Sequence, residues 1–487
     1  MKTAILFVIL ISSFLRAQTG TAVNVTQFGA RGDGVTLNTA AIQHGIDSVS
    51  LKGGTLYFPP GSYLTGSLYL KSNVCIWIET GATILGSGNI LDYDSHIPNL
   101  RSYNDAFLRY SLFYSEGEKN ISIVGRGTID GQGALFKVKT KKKPARYEDR
   151  PFIIRFVECK NVVVSGVTMK NSAMWMQQYL ACDQLRIEGI SVFNHANQNN
   201  DMMDIDGCKN VIISGCYGDT DDDGIVLKST SEFPDENISV SNCVVSSHCN
   251  ALKLGTESIG GFKNISISNI IVKPSIVDSA IFGCPGGISG ITITEVDGGT
   301  LDGVSVSGVV MDGPRVPIFI RLGDVGRGVA GSQGKNAIGK LENVSIRDVL
   351  ATNVKSIGCS ITGLPGHPVK GITLSGIRIT FAGGVLSDTS LGLPDELASH
   401  YPEGTMWGEL PAYGFFVRHA EDISFSNVEL RYRRRDERPP VYCDDVNGFK
   451  AAGISAELPS GRIEVFKLIN VENAVITSSE PMRRYSR

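Results

Sequence analysis

The sequence predicts an all-β fold in which short strands stack into a parallel β-helix. One pattern recurs along the chain: a small polar residue or glycine, three residues of strand-like alternation, and then a small pair. Each copy is bounded by Gly, Asn or Ser and is rich in β-branched residues, which is typical of a strand. No helical pattern separates the copies, so βαβ units are not expected. Self-similarity of this kind indicates a stacked solenoid with one repeat per coil.

The copies are NISIVG at 120–125, NVVVSG at 161–166, QLRIEG at 184–189, NVIISG at 210–215, NISVSN at 237–242, NISISN at 264–269, GVSVSG at 303–308, NVSIRD at 343–348, GITLSG at 371–376 and DISFSN at 422–427. From the second copy to the sixth the offsets are 23, 26, 27 and 27 residues, and the later offsets are 39, 40, 28 and 51. The longer offsets mark coils with loop insertions, where a solenoid builds its groove. A β-sandwich is the alternative, but it requires more frequent hairpin turns.

The N-terminal residues 1–17 have the pattern of a secretory signal peptide. A short basic start is followed by twelve mostly apolar residues and then by a small residue, Ala17, at the predicted cleavage point. Twelve residues are too few to span a bilayer, and no later apolar stretch is long enough to do so. We therefore expect export to the periplasm or the medium, no membrane span, and one β-helix domain over residues 18–487.

One helix is predicted ahead of the first coil. Asn38 or Thr39 is placed to act as its N-cap, and the apolar run that follows extends to Ile46. A lone helix in front of a solenoid is typical of an end cap that shields the first coil.

Composition narrows the functional classes. Removing Lys2 and Arg16 with the signal leaves 44 basic against 49 acidic residues, a net charge of −5, which argues against a nucleic-acid partner. Ten cysteines in an exported chain could form disulfides. The favoured interpretation is instead that those beside the repeat strands are buried, free thiols that pack as small apolar groups; they are Cys159, Cys182, Cys208, Cys216 and Cys243. No CxxC pair suggests a metal, and a monomer is expected.

A cluster of aspartates marks the candidate site. Residues 199–206 read NNDMMDID and residues 218–228 read GDTDDDGIVLK. Carboxylates placed this close repel one another and raise at least one pKa, which is typical of catalytic sites. A calcium site or an acidic surface loop is the alternative. The 21-residue offset between Asp201 and Asp222 places them about one coil apart on the same face, near Asp223.

The motifs around these aspartates resemble the polygalacturonase-type glycoside hydrolases of family 28. The resemblance covers nearly the whole mature chain and is carried by FGARGDGVTLNTAAIQ at 28–43, GGTLYFPPGSYLTGSL at 53–68, GTIDGQG at 127–133 and RP at 150–151. The family's Asn-Thr-Asp motif corresponds to NND at 199–201, and its Asp-Asp motif to Asp222 and Asp223. Its Gly-His-Gly is represented by Ser247-His248-Cys249, and its Arg-Ile-Lys is absent from residues 279–284, which read SAIFGC.

This resemblance implies a right-handed β-helix and hydrolysis, with inversion, of an acidic plant-type polysaccharide containing α-linked galacturonic acid: pectin, polygalacturonan or rhamnogalacturonan. It implies no cofactor and no metal. Asp222 is the expected general acid, Asp201 and Asp223 are expected to hold and deprotonate the water, and His248 is expected to support the charge state of the acid.

Because the Arg-Ile-Lys motif is missing, the cationic side chains that bind the substrate must come from elsewhere in the chain. Lys228, Lys253 and Arg321 are the candidate replacements, and Asn199 is a further candidate contact. Glu295 and Asp297 form another acidic pair, for which a turn before a strand is the favoured interpretation and a further carboxylate or metal contact the alternative. A branched or rhamnose-containing pectin attacked from a chain end fits these departures as well as plain polygalacturonan does.

Two other classes could use a β-helix with an acidic groove. A calcium-dependent pectate-type lyase would bind the ion with Asp221–Asp223 and use Lys228 or Lys253 as the base. A non-catalytic glycan-binding protein would keep the coil without a tight acid cluster. The hydrolase is the favoured prediction.

Overall fold

The computed structural model describes residues 22–481 except for residues 106, 141, 143–144, 333, 335–336, 387–391 and 460–463. The predicted signal peptide, residues 1–17, lies outside the described residues. The chain folds into a right-handed parallel β-helix, which confirms the predicted fold class. The described residues contain one α-helix, α1 (Thr39–Ser50), and short 3₁₀ segments at Val25–Phe28, Ile90–Asp92, Gly133–Leu135 and Ala145–Tyr147.

The first strands are β1 (Ala22–Asn24), β2 (Asp33–Leu37), β3 (Gly54–Phe58), β4 (Gly61–Thr65), β5 (Leu68–Tyr69), β6 (Val74–Ile78), β7 (Ala82–Gly86), β8 (Ser111–Glu116), β9 (Lys119–Gly125), β10 (Thr128–Asp130), β11 (Phe152–Val157) and β12 (Lys160–Ser165). The central strands are β13 (Thr168–Lys170), β14 (Gln177–Leu180), β15 (Asp183–Glu188), β16 (Ser191–Asn194), β17 (Met203–Asp206), β18 (Lys209–Ser214), β19 (Tyr217–Thr220), β20 (Ile225–Ser229), β21 (Asp235–Ser241), β22 (Val244–Ser247), β23 (Asn250–Ser258) and β24 (Phe262–Val272). The last strands are β25 (Ser289–Glu295), β26 (Thr300–Asp312), β27 (Val316–Leu322), β28 (Lys340–Val354), β29 (Cys359–Thr362), β30 (Val369–Gly383), β31 (Phe415–Arg434), β32 (Val441–Ala456), β33 (Phe466–Glu472), β34 (Val475–Thr477) and β35 (Glu480–Pro481).

These strands pair in three parallel ladders that form the faces of the solenoid. Ladder 1 begins with β1, β3 and β6 and contains the repeat copies, and ladder 2 begins with β2, β4 and β7. Ladder 3 runs through β5, β8, β11, β14, β17, β20, β23, β25, β27 and β29. From β24 onward, single long strands pass through ladders 1 and 2, and β31 and β32 also pair along ladder 3.

The first residue of each repeat copy makes a left-handed turn. Asn210, Asn237 and Asn264 have φ angles of 56°, 58° and 57°. Asparagine tolerates this region better than most residues. The Asn237 amide donates to Asn210 Oδ1 at 3.3 Å, and the Asn264 amide donates to Asn237 Oδ1 at 3.1 Å. Six of the ten copies begin with Asn, a residue that both makes this turn and bonds to the preceding coil.

The interior of the solenoid is filled mainly by aliphatic side chains from all three ladders. The five cysteines beside the repeat strands are buried among them, and all ten cysteines, which lie in the described part of the chain, are free. The expectation of buried thiols is confirmed. Burial raises the pKa of Cys182, so this thiol stays protonated and packs as a small apolar side chain.

The capping helix is longer than predicted. α1 extends to Ser50 and buries Ile42, Ile46 and Val49 against the first coil. Asn38 occupies the N-cap position, but its side chain makes no capping bond. Its amide group instead accepts from the Arg31 main-chain nitrogen at 2.7 Å and donates to the Thr36 carbonyl at 2.7 Å. The predicted N-cap position of Asn38 is confirmed, but its side chain makes no capping bond because it holds the preceding loop.

In the part of the chain that the structure describes, no helix is both long and apolar enough to cross a membrane.

The stacked asparagines should contribute measurably to stability. Asn237→Ala removes two side-chain hydrogen bonds and replaces a residue that tolerates the left-handed turn by one that does not, which costs about 1–2 kcal/mol. We expect urea unfolding to show a loss of about this size. Asn237→Gly keeps the turn without that strain, so its loss should be smaller. Equal losses for the two variants would contradict the left-handed turn as the cause.

Candidate active site

An open cleft of about 320 Å³ lies on the outer surface of ladder 3, over β17, β20 and β23. Its walls combine acidic, basic and aromatic side chains: Tyr147, Trp175, Asn199, Asp201, Asp222, Asp223, Lys228, Cys249, Lys253, Glu257, Phe282, Gly283, Ile288, Tyr401 and Glu403. The three predicted catalytic aspartates and three of the four predicted substrate contacts therefore meet in one place.

Asp222 presents its carboxyl group to the cleft. The Asn199 amide lies 3.4 Å from Asp222 Oδ2, and Arg150 fixes Asn199 by donating to its Oδ1 at 3.1 Å. Burial raises the pKa of Asp222 to about 7, and the Asp223 charge acts in the same direction against the opposing charges of Lys253 and Lys228. Asp222 is therefore protonated in mildly acidic solution and about half protonated at neutral pH, so it can supply a proton to a bound molecule.

Asp223 is held by neighbours on the next coil. Lys253 Nζ lies 2.5 Å from Asp223 Oδ2, and the main-chain and side-chain nitrogens of Asn250 donate to Oδ1 at 3.1 and 2.7 Å. Lys253 also donates to the Tyr401 hydroxyl at 3.0 Å. Burial alone would lower the pKa of Lys253, but Asp223 holds it well above its ordinary value. The result is a buried, hydrogen-bonded ion pair at the base of the cleft.

Asp201 lies beside a second buried lysine. Lys228 Nζ is 2.7 Å from Asp204 Oδ1 and 3.5 Å from Asp201 Oδ2, and it lies 3.6 Å from the centre of the Trp175 ring. Burial, followed by the charges of Asp204 and Asp222, raises the pKa of Asp201 well above its usual range. Burial also raises the pKa of Asp204, to about 6, against the effect of Lys228. The Lys228 charge is therefore shared mainly with Asp204, which the sequence analysis did not single out.

His248 lies behind the cleft and contacts Asp221. Its Nδ1 is 2.9 Å from Asp221 Oδ1, and its Nε2 is 2.8 Å from the Val277 carbonyl oxygen. Asp221 also accepts from the main-chain nitrogens of Ile281 and Phe282. The structure therefore places His248 where it can position Asp221 and the loop that carries Phe282, with both ring nitrogens directed away from Asp222.

Arg321 is not brought to the cleft. It is buried two coils beyond Lys253 along ladder 3 and donates to the Thr362 hydroxyl and to the Gly363 and Glu396 carbonyl oxygens. Its guanidinium lies 5.1 Å from the centre of the Trp407 ring. The physical reason is an insertion, residues 392–414, which we call the strap and which covers this part of ladder 3.

Glu295 and Asp297 are also buried outside the cleft. Glu295 accepts from the main-chain nitrogens of Asp297 and Gly299 at 3.2 and 2.9 Å, and Asp297 forms an ion pair with Arg327 at 2.9 Å. Arg327 also pairs with Glu257 at 2.9 Å. These contacts support the turn interpretation of the acidic pair.

Several residues of the cleft were missed by the sequence analysis. Tyr147, Phe282, and the pair Tyr401 and Glu403 come from three different insertions between repeat copies. Their signal was the spacing of the repeat, because the coils with offsets of 39 and 51 residues supply Phe282 and the strap. The offsets identified the insertions, but nothing in the pattern showed which of their side chains face the cleft.

The outer face of ladder 3 is covered on both sides of the cleft. On the N-terminal side, Arg155 of β11 donates to the Leu108 carbonyl oxygen and pairs with Asp105 at 3.4 Å. On the C-terminal side, the strap receives bonds from Arg321 and from Arg418, which donates to the Pro394 carbonyl at 2.9 Å. Insertions therefore bound the cleft at both ends of the solenoid axis.

Within the described residues, two groups of side chains have the donors and proximity to hold a metal: His195, Asp221 and His248, and Asp222, Asp223 and Cys249. The donors of both groups already have protein partners, since His248 bonds to Asp221 and Lys253 pairs with Asp223. Burial, together with the neighbouring Asp222 and Asp223 charges, raises the pKa of the Cys249 thiol. A protonated thiol is a poor metal ligand.

Comparisons with known proteins find a matching family and related sequences. The profile of Glycosyl hydrolases family 28 matches residues 102–393. A probable polygalacturonase from Vitis vinifera is 27% identical over 381 residues, which cover 74% of each chain. An exo-poly-alpha-D-galacturonosidase from Dickeya chrysanthemi is 28% identical over 250 residues, which cover 42% of this chain and 41% of that protein.

Among solved structures, a hyperthermoactive exopolygalacturonase from Thermotoga maritima aligns with a TM-score of 0.63. The alignment covers 84% of this chain and 92% of that chain, at 21% sequence identity. This likeness is one of fold.

Glu295 should make stability depend on pH. Burial raises its pKa from 4.5 to about 8, so the folded protein keeps a proton that the unfolded chain loses. The stabilisation is complete below pH 4.5 and is lost as the pH rises through about 8. We expect Glu295→Gln to flatten the decline in unfolding free energy between pH 5 and 8 by up to about 1.4 kcal/mol per pH unit, measured with urea. The exposed Glu232→Gln is the control, and identical slopes for wild type and Glu295→Gln would contradict the assignment.

Proposed function

This chain belongs to glycosyl hydrolase family 28 and is a glycosidase, and we propose that it hydrolyses galacturonic acid-containing polysaccharides of pectin at α-linkages. The observation that carries the proposal is the cleft in which Asp222, with a pKa of about 7, lies beside the carboxyl groups of Asp201 and Asp223. Separate environments for neighbouring carboxyl groups provide an acid and a base at the same pH.

Asp222 is the proposed general acid. Its raised pKa keeps the proton available, and the Asn199 amide orients its Oδ2. Protonation of the glycosidic oxygen lets the leaving sugar depart without a negative charge. His248 is proposed to support this group indirectly, by holding Asp221, whose charge raises the pKa of Asp222.

Asp223 and Asp201 are the proposed partners of the attacking water. Lys253 and Asn250 fix Asp223, while Lys228 lies beside Asp201, so both carboxyl groups are positioned before substrate arrives. We propose inversion at the anomeric carbon on the strength of the family resemblance. An oxygen of Asp222 lies within 4.8 Å of one of Asp223, closer than the roughly 6.5–9.5 Å typical of an inverting pair, so spacing alone does not argue for inversion.

Substrate contacts are proposed for Asn199, Lys228 and Lys253, which line the cleft, and for the rings of Trp175 and Tyr401. Half of the Tyr401 surface is exposed, so its ring can pack against a sugar. Arg321 is left out of this set because the strap covers it.

The charge state of the lysines favours hydrolysis over elimination. A lyase needs an uncharged Lys to remove a proton, but neighbouring carboxylates hold the pKa of Lys228 and Lys253 well above the ordinary value. Both ammonium groups are also paired with aspartates. Neither can accept a proton in this arrangement.

The covered ends of ladder 3 support attack at a chain end. An endo-acting enzyme needs an open groove along which a polymer can extend in both directions. Here the segment of Asp105 and Leu108 and the strap cover the face on either side of the cleft. The predicted signal peptide, residues 1–17, supports action outside the cytoplasm, in the periplasm or the medium.

Substitutions of the three aspartates should differ in their effects on catalysis. Asp222→Asn should lower kcat/KM by about 10²–10⁴-fold and abolish the decline of wild-type activity as the pH rises through about 7. The loss should be smallest on an aryl glycoside, whose leaving group needs no proton. Asp201→Asn and Asp223→Asn should be severe on every substrate.

The control for this series is Asp302→Asn, an aspartate of ladder 1 that bonds to Asn343 and lies outside the cleft. The lyase takes the place of the hydrolase if three results are found together. Asp222→Asn stays active, the wild-type product absorbs ultraviolet light, and a chelator or a Lys253 substitution abolishes turnover.

Chain-end attack predicts the size of the first products. Early in a digest of pectic polymer we expect mono- or disaccharides and a viscosity that falls only in proportion to the bonds cleaved. Size-exclusion chromatography and viscometry of the same samples measure both. A ladder of intermediate oligosaccharides with an early collapse of viscosity would show that the cleft admits the middle of a chain.

A further inference from the structure

The cleft carries more negative than positive groups. Five carboxyl groups line it, against the two ammonium groups of Lys228 and Lys253; the carboxyl groups belong to Asp201, Asp222, Asp223, Glu257 and Glu403. When Asp201 and Asp222 hold their protons and Glu257 pairs with Arg327, Asp223 and Glu403 still match the two ammonium groups, so no surplus of positive charge faces the cleft. An anion brought into this space would lose solvation and meet no uncompensated positive charge in return.

Both ammonium groups are already engaged. Lys228 lies between Asp204 and Asp201 and against the face of Trp175. Lys253 pairs with Asp223 at 2.5 Å and donates to the Tyr401 hydroxyl. A carboxylate on a bound sugar would have to compete with these aspartates for either lysine. Burial of both partners makes each existing pair costly to break.

The other cations near the cleft are already bonded within the protein. Arg150 donates to the Ala173 and Gln198 carbonyl oxygens and to Asn199. Arg327 is taken up by Glu257 and Asp297. Arg315 lies outside the lining, near Glu403, where burial raises the Glu403 pKa although the Lys253 and Arg315 charges act against it. Arg327 and Arg315 therefore compensate carboxyl groups of the protein rather than a bound anion.

The uncharged part of the wall is suited to an apolar or hydroxylated substituent. Phe282, Ile288 and Trp175 line the cleft together with the half-exposed ring of Tyr401. Such surfaces pack well against a methyl or hydroxymethyl group and give no compensation to a carboxylate.

We propose that the sugar held against Asp222 is uncharged, a neutral hexose or 6-deoxyhexose unit of a pectic polymer, and that bonds between two galacturonates are poor substrates. This inference rests on the proposed function and deepens it. The segment that supplies Tyr147 also carries the exposed Lys137 and Lys142, so acidic units of the same polymer can be attracted outside the cleft.

A matched pair of substrates tests the charge directly. An aryl α-galactoside and the corresponding α-galacturonoside differ only in a hydroxymethyl against a carboxylate, and an aryl α-rhamnoside adds a 6-deoxy sugar. We expect kcat/KM for at least one neutral glycoside to exceed that for the galacturonoside by more than tenfold.

Glu403→Gln removes one charge from the wall without changing its shape. We expect the galacturonoside to gain about three- to tenfold in kcat/KM relative to the neutral glycosides. Glu409→Gln is the matched control, since Glu409 lies in the same strap but bonds to Ser356 away from the cleft. An equal change in both variants, or none for Glu403→Gln, would count against the charge argument.

Polymers separate this inference from the proposed function. If rhamnogalacturonan is cleaved, mass spectrometry should find the neutral sugar, and not the galacturonate, at the new reducing end, because that is the sugar whose anomeric bond is broken. Efficient cleavage of polygalacturonan between two galacturonates would overturn the inference and leave the hydrolase proposal intact.

If no pectic substrate is cleaved, the proposed function fails, but the inference remains testable by binding. Saturation-transfer NMR of Asp222→Asn with methyl α-galactoside, methyl α-rhamnoside and methyl α-galacturonoside should then show tighter binding of at least one neutral sugar. Tighter binding of the galacturonoside than of both neutral sugars would overturn the inference.

Discussion

The whole site depends on coils that stack in parallel and in register. Asp204 on β17 pairs with Val226 on β20, and Val226 pairs with Lys253 on β23, so residues more than twenty positions apart become neighbours on one face. Left-handed asparagines at the turns fix the phase of each coil relative to the next. A slip of one residue in any strand would turn its cleft-facing side chains into the core.

Burial of charge is the second constraint, and it explains why the acids of the cleft differ from one another. Asp223 has a lysine and an asparagine as partners, whereas Asp222 faces open space with one weak amide contact. The same loss of solvent therefore has different consequences. It raises the pKa of Asp222 to about 7, while the buried lysines keep their charge because each has an acidic partner. The number of bonding partners, rather than the residue type, therefore distinguishes the proposed acid Asp222 from the structurally paired Asp223.

The sequence predicted those parts of the structure that repeat. Strand alternation with regular offsets predicted the β-helix. The 21-residue offset predicted that Asp201 and Asp222 lie close together, and both line one cleft. Lys228 and Lys253, which were predicted from their strand positions, line the same cleft. Tyr401 and Glu403 could not be placed, because the strap has no periodicity that relates it to the coils. Arg321 sits on the correct face, but only the path of the strap shows that it is covered. Asn38 was correctly placed at the N-cap, but its missing capping bond could not be predicted, because a polar side chain before a helix can bond to the preceding loop as readily as to the helix itself.

Because the strap lies late in the chain, it is synthesised after the coils that carry the aspartates. The aspartates lie at residues 201–223, but Tyr401 and Glu403 are made almost two hundred residues later. During synthesis from the N-terminus, the central coils can stack before the last wall of the cleft exists. In such a nascent chain Lys253 lacks its Tyr401 partner, and the C-terminal side of ladder 3 is still uncovered. The acidic surface is thus formed early, and a closed binding site is completed only when the strap has been translated and has docked.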